Sequence, residues 1–221
     1  MGNPVNGAIS ISLHPKEVTI HYLVTKGGRV NGKESDRLSL LTVLADKMSG
    51  SVVVNELTTM GSIWPNAQLL EGDAFSGSAS ALAIGSGQVR NLVNPGSGSY
   101  GETLLRSSNL LNSETTVRIN VLSNLLGLCG SAEKVQACEE LLNLTESENT
   151  LSALTSIARQ PWKNVSQLYK LFDQSYPIDK TTELRSTATL PYLLFEPKSF
   201  SLSLVFNGGG ALGLGKLMFG G

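Results

Sequence analysis

The feature that most restricts the fold lies between Thr116 and Phe172, where apolar residues return every three or four positions in four successive runs. Val121, Leu122, Leu125 and Leu128 make the first run, and Val135, Cys138, Leu141 and Leu142 the second. Leu151, Leu154, Ile157 and Ala158 make the third, and Val165, Leu168, Tyr169 and Phe172 the fourth. This spacing gathers each set on one face of a helix. The links between runs are short, so neighbouring helices are expected to pack as antiparallel pairs. Pro161 closes the third helix, and Asn164 with Gln167 reads as a capping box for the fourth.

Towards both ends the period falls to two. Ile9, Ile11 and Leu13, then Val18, Ile20, Tyr22 and Val24, predict two strands, and Phe200, Leu202, Leu204 and Phe206 predict another. In between, Leu38, Leu41, Leu44, Ala45 and Met48 read as a helix. Asn55 caps a further helix that carries Leu57, Met60, Ile63, Trp64, Ala67 and Leu70, which Pro65 is expected to kink or shorten. A Gly/Ser-rich linker over 71–80 precedes a helix broken near Gly85 and Gly87, and 94–102 reads as a loop. The expected fold class is mostly α, of the α+β type: an antiparallel helical core with a small β-sheet formed by strands near the N- and C-termini. One domain is expected over 1–221, with N-terminal strands in 1–34, the helical core in 36–173, a C-terminal strand in 190–207 and a Gly-rich connector in 208–221.

A hydrophobic content of 41% supports one well-buried core. Seventeen basic residues against eighteen acidic ones give a net charge of -1, with no basic stripe to neutralise phosphates, so nucleic acid is not an expected partner. No run of eighteen apolar residues predicts a membrane span, and the opening residues do not read as a signal peptide. Charged residues make up only 16%, and Ser, Thr, Asn and Gly carry much of the polarity, a balance that suits exported and surface proteins.

Two nucleotide-binding patterns overlap in the C-terminal stretch. Gly208, Gly210 and Gly213 fit G-x-G-x-x-G, while Gly210, Gly215 and Lys216 fit a P-loop with Leu217 in place of the magnesium-binding Ser or Thr. Both need a following helix to supply amides to the phosphates, and five residues follow Lys216. A Gly-rich connector is the expectation, with no cofactor. The stretch 96–103 is a weaker match still, with Glu102 where a lysine belongs.

His14 and His21 lie among the N-terminal strands without the Cys, Asp or Glu spacing of a metal site, His21 at an exposed strand position. Glu56 opens a helix, where a carboxylate stabilises the positive end of the dipole; it would serve as a catalytic acid only with a second carboxylate across a cleft. Trp64 and Trp162 read as core or rim aromatics before sugar-stacking platforms. Cys129 and Cys138 fall at the end of one helix and within the next, close enough in a hairpin for a disulfide, with two free buried thiols as the alternative. Such a loop stabilises by about 2–3 kcal/mol.

Several stretches in order, among them "HYLVTKGG", "VVVNELTTMGSIW", "RINVLSNLLGLC", "LTSIARQPWKNVSQLYKLF" and "SFSLSLVFNGGGALGLGKLMF", resemble the N-terminal helical region of large exported bacterial proteins that continue into an NHL-type, streptogramin-lyase-like β-propeller. The resemblance covers roughly residues 21 to 219. It implies that the Gly-rich stretch leads into a first propeller blade, and that any lyase activity belongs to the propeller. The expected function is a non-catalytic structural or interaction domain, extracellular or at the cell surface, whose partner is an adjoining β-propeller domain or another surface protein. The alternatives are a hydrolase or lyase acting on carbohydrate, or an accessory part of one, through Glu56, and a carbohydrate-binding module presenting Trp64, Trp162 or Tyr100.

Overall fold

The computed structural model of the chain describes residues 20–30, 33–34, 36–44, 50–110, 113–185, 190–206 and 217–219. The expected strand over Ile9–Leu13, His14, and the Gly-rich patterns of 208–216 lie outside the described residues. The fold is of the mostly helical α+β type, with small antiparallel strand pairs around the helices.

Strand β1 (His21–Lys26) is followed by the short pair β2 (Arg29–Val30) and β3 (Lys33–Glu34), then by β4 (Ser39–Leu44), which pairs antiparallel with β1. Of the helix expected over Leu38, Leu41, Leu44, Ala45 and Met48, Leu41 and Leu44 lie instead in this strand and Leu38 just before it, while Ala45 and Met48 lie outside the described residues. All six residues of β4 are buried, so its apolar side chains follow neither a period of two nor one of 3.6, and the helical spacing was coincidental.

Helix α1 (Glu56–Ile63) starts where Asn55 predicts. The Asn55 side chain accepts from the Thr58 amide, and the Thr58 hydroxyl accepts in return from the Asn55 amide. Pro65 acts as expected: from Trp64 to Leu69 the chain tightens into a 3-10 turn. The presumed linker over 71–80 instead holds a hairpin of β5 (Leu70–Glu71) and β6 (Ala74–Phe75) turning through Gly72, which takes φ +63°. Helix α2 (Ala79–Leu92) runs unbroken through Gly85 and Gly87, against the expected interruption. Gly85 is there for packing, since a Cβ on it would lie 2.0 Å from Asn66 Oδ1. The expected loop over 94–102 contains a second small hairpin, β7 (Val93–Asn94) with β8 (Ser99–Tyr100).

Two short turns, α3 (Glu102–Leu105) and α4 (Ser107–Leu110), lead into the four helices that the sequence marks most strongly. These are α5 (Thr115–Gly127), α6 (Val135–Leu144), α7 (Thr150–Arg159) and α8 (Val165–Ser175). Asn149 caps α7 through the amides of Leu151 and Ser152. Asn164 does not cap α8; it sits at φ 54° and its amide group donates to the Leu144 carbonyl, tying α8 to the end of α6. The apolar faces meet in one core, with Met60, Ile63, Leu122, Leu125, Leu154 and Phe172 wholly buried.

Leu202 and Leu204 of strand β9 (Leu202–Leu204), and Phe200 just before it, are buried as the alternation predicts, while Phe206 beyond it is half-buried; β9 pairs with β10 (Leu217–Phe219). Part of the stretch read as a connector is thus a strand. Among the described residues, the strands of the two terminal regions form separate antiparallel pairs.

Each pair is sealed along one edge by helix side chains. The amides of Ser39, Leu41 and Val43 on β4 donate to the hydroxyls of Thr150, Thr59 and Ser62. Beside β9, the Ser203 amide donates to Thr115 Oγ1, and the Val205 amide to Asn109 Oδ1. Buried backbone groups need partners, and here polar helix residues supply them.

Candidate functional site

Four features qualify for comparison: the cysteine hairpin with Glu56, the aromatic residues, one polar cleft and one exposed apolar band. Cys129 follows α5 in a 3-10 turn, Cys138 lies in α6, and the two form a disulfide with α-carbons 4.8 Å apart. Both are buried. The loop they close carries Lys134, whose ammonium sits 3.4 Å from the centre of the Tyr176 ring. The Tyr176 hydroxyl donates to the Asn124 carbonyl at 2.9 Å, and burial, reinforced by the Glu56 charge, pushes its pKa up to about 12.

Glu56 stands in the first turn of α1, half-buried. A Cβ built on Gly127 would lie 3.9 Å from Glu56 Oε1 and 3.8 Å from the Tyr176 hydroxyl, so the three converge on the end of α5. This arrangement holds one carboxylate and one strongly protonated phenol. A phenol with so high a pKa is a poor proton donor at neutral pH.

The aromatic candidates separate cleanly. Trp64 is buried in the core, so it offers no binding platform. Trp162 is 60% exposed, on the turn between α7 and α8. The Tyr100 hydroxyl is engaged by Asn120 Oδ1 at 2.5 Å and by the Leu190 carbonyl, which leaves the ring a bracing role. His21 is half-buried, where an exposed position was expected, and its Nε2 lies buried without a hydrogen bond. Among the described residues no group of three His, Cys, Asp or Glu is arranged to hold a metal ion, and no helix is long and apolar enough to cross a membrane.

A cleft of about 440 Å³ lies beside α7, lined mainly by polar residues with much of their apolar surface turned to it. Ser152, Ser156, Arg159 and Lys163 follow its axis, the Glu71–Gly72 turn forms one wall and Thr145 to Ser147 another. Arg159 fixes the first wall by donating to the carbonyls of Ala67 and Leu70 at 2.9 and 2.6 Å. Lys163 pairs with Glu146 at 3.0 Å. Nothing in the sequence marked these residues, because hydroxyls and charges opposite an apolar helix stripe read as an ordinary solvated face.

Beyond α8 the chain is irregular yet anchored. The buried guanidinium of Arg185 donates to Asp173 Oδ1 at 2.5 Å and to the Tyr176 carbonyl at 2.7 Å, and lies over the rings of Phe172 and Tyr192. Asn120 donates to the Pro191 carbonyl. Along the same stretch Leu184, Leu190, Leu194 and Phe195 are exposed, Phe195 with 82% of its surface.

Comparison of the chain with protein families, with curated proteins and with solved structures finds no match.

Proposed function

We propose that this chain is a non-catalytic structural or interaction domain of an exported or cell-surface bacterial protein, and that it adjoins a β-propeller. The observation that supports this most is the exposure of four large apolar side chains, Leu184, Leu190, Leu194 and Phe195, in one short stretch of chain. Exposed apolar side chains that gather into one patch are a mark of contact surfaces. The disulfide suits an oxidising compartment. The propeller context rests on the sequence resemblance alone.

The test has two parts. The coding sequence on either side is expected to carry an export signal upstream and propeller repeats downstream; finding neither overturns the context. Hydrogen exchange of 184–195 is then compared between this chain and the longer natural product. Protection of that band in the longer protein supports the contact role, and identical exchange in both counts against it.

A further inference from the structure

Resting on the exported reading above, we propose that Asn143 is the acceptor of an N-linked glycan. Two acceptor motifs, in which Asn is followed two places on by Ser or Thr with no Pro between, stand in the chain: Asn143-Leu144-Thr145 and Asn164-Val165-Ser166. The motif alone does not select a site. The fold does, because it treats the two in opposite ways.

Asn143 lies in the last turn of α6, on the face whose earlier turns carry Gln136, Glu139 and Glu140, and all four are exposed. Its side-chain amide makes no hydrogen bond to another described residue. A glycan there would stand in solvent above polar side chains, and no buried contact would be lost. The Thr145 hydroxyl, by contrast, is buried and donates to the Leu141 carbonyl at 2.8 Å. Transfer therefore belongs before the end of α6 has closed, and the finished fold then displays the modified residue.

Asn164 has the reverse setting. It is half-buried at φ 54°, and its Nδ2 donates at 2.6 Å to the Leu144 carbonyl, one of the last carbonyls of α6 that no helix amide reaches. A sugar on that nitrogen would wedge between α6 and α8. The Ser166 hydroxyl of the same motif is engaged by Glu196 Oε1 at 2.5 Å.

The chemistry is a glycosyl transfer without oxidant or reductant. The Asn143 amide nitrogen bonds to the anomeric carbon of a glycosyl diphosphate, the bond from that carbon to the phosphate oxygen breaks, the diphosphate carrier leaves, and one amide proton passes to a base of the transferase. The Cys129–Cys138 disulfide suits the compartments of exported proteins, the class in which this motif serves as an acceptor.

For the test, the protein is isolated from its native source, with exported and intracellular fractions kept apart, then reduced, digested with trypsin and read by mass spectrometry. The cuts put Asn143 in peptide 135–159 and Asn164 in peptide 164–170. Peptide 135–159 is expected to be heavier by whole sugar residues and to lose them to a peptide N-glycosidase, which leaves an aspartate at the acceptor; peptide 164–170 is expected bare. In recombinant protein Asn143→Gln should leave the urea midpoint unchanged, while Asn164→Gln lowers it. Bare Asn143 in exported protein overturns the proposal and leaves the export reading standing. Bare Asn143 in protein confined to the cell overturns both. Sugar on peptide 164–170, or a lowered midpoint in Asn143→Gln, also overturns the proposal.

Discussion

The hydroxyl of Thr59, in the middle of α1, accepts the amide of Leu41, in the middle of β4, at 3.0 Å. One turn further along the helix, Ser62 accepts the Val43 amide at 2.9 Å. Both hydroxyls are wholly buried, so each amide would be stranded without its partner. Thr59→Val keeps the shape of the side chain and leaves the Leu41 amide unsatisfied. We expect it to lower stability by about 1–3 kcal/mol, with Ser62→Ala at the lower end of that range, both read as shifted midpoints in urea unfolding.

The two glycines of α2 should respond in opposite senses. Nothing lies within 4 Å of a Cβ on Gly87, so Gly87→Ala is expected to stabilise by about 0.5–1 kcal/mol through helix propensity. At Gly85 the added methyl meets Asn66 Oδ1, on a side chain that already donates to the Ser62 carbonyl, and Gly85→Ala should destabilise. Thermal unfolding of the pair checks this; equal and favourable shifts would show that Asn66 gives way.

Thiol titration of unreduced, denatured protein should find no free cysteine. Replacing both Cys129 and Cys138 by Ser is expected to cost about 2–3 kcal/mol, as for a closed loop of this length. An unfolding midpoint indifferent to reductant would contradict the bond.

Tyr176 makes stability depend on alkaline pH. Its pKa is about 12 in the native protein and its ordinary value is 10. Between these the unfolded chain releases a proton that the native one retains, so stability is unchanged below pH 10 and falls as pH rises towards 12. The loss amounts to about 2–3 kcal/mol. Tyr100 and Tyr169, also raised by burial, add slopes of the same sign. Lys134, lowered by burial, acts with the opposite sign in wild type and variant alike. Tyr176→Phe should be less stable than wild type at pH 7 by about 1 kcal/mol, having lost the bond to Asn124, and should lose less between pH 10 and 12. Parallel pH profiles would mean that Tyr176 ionises as an exposed tyrosine does.

The sequence disclosed what periodicity can disclose. Helices α6 to α8 each have one apolar and one solvated face, α5 is buried nearly all round, and the apolar stripes of all four fell where the core later formed. The cysteine pair was legible because position alone brought the two residues to one hairpin. Strand β4 was not, since burial on both faces erases the alternation that betrays a strand. The hairpins at 70–75 and 93–100 have strands of two residues, too short for any period to show. Nothing in the local sequence marks Thr59, Ser62, Thr115 and Asn109 as internal, and only their meeting with strand amides from other parts of the chain reveals them as internal partners. The cleft escaped for a related reason: Glu71 and Lys163 are ninety-two positions apart, and only folding brings them to one cleft.

The sealing of β4 and β9 by side chains bears on how copies of this molecule behave in company. A strand border that already spends its backbone amides on threonine, serine and asparagine leaves a neighbour nothing to zip onto. Those borders are closed to the runaway stacking that feeds fibrils, and the same few polar groups that fasten each strand inward keep it from recruiting strangers.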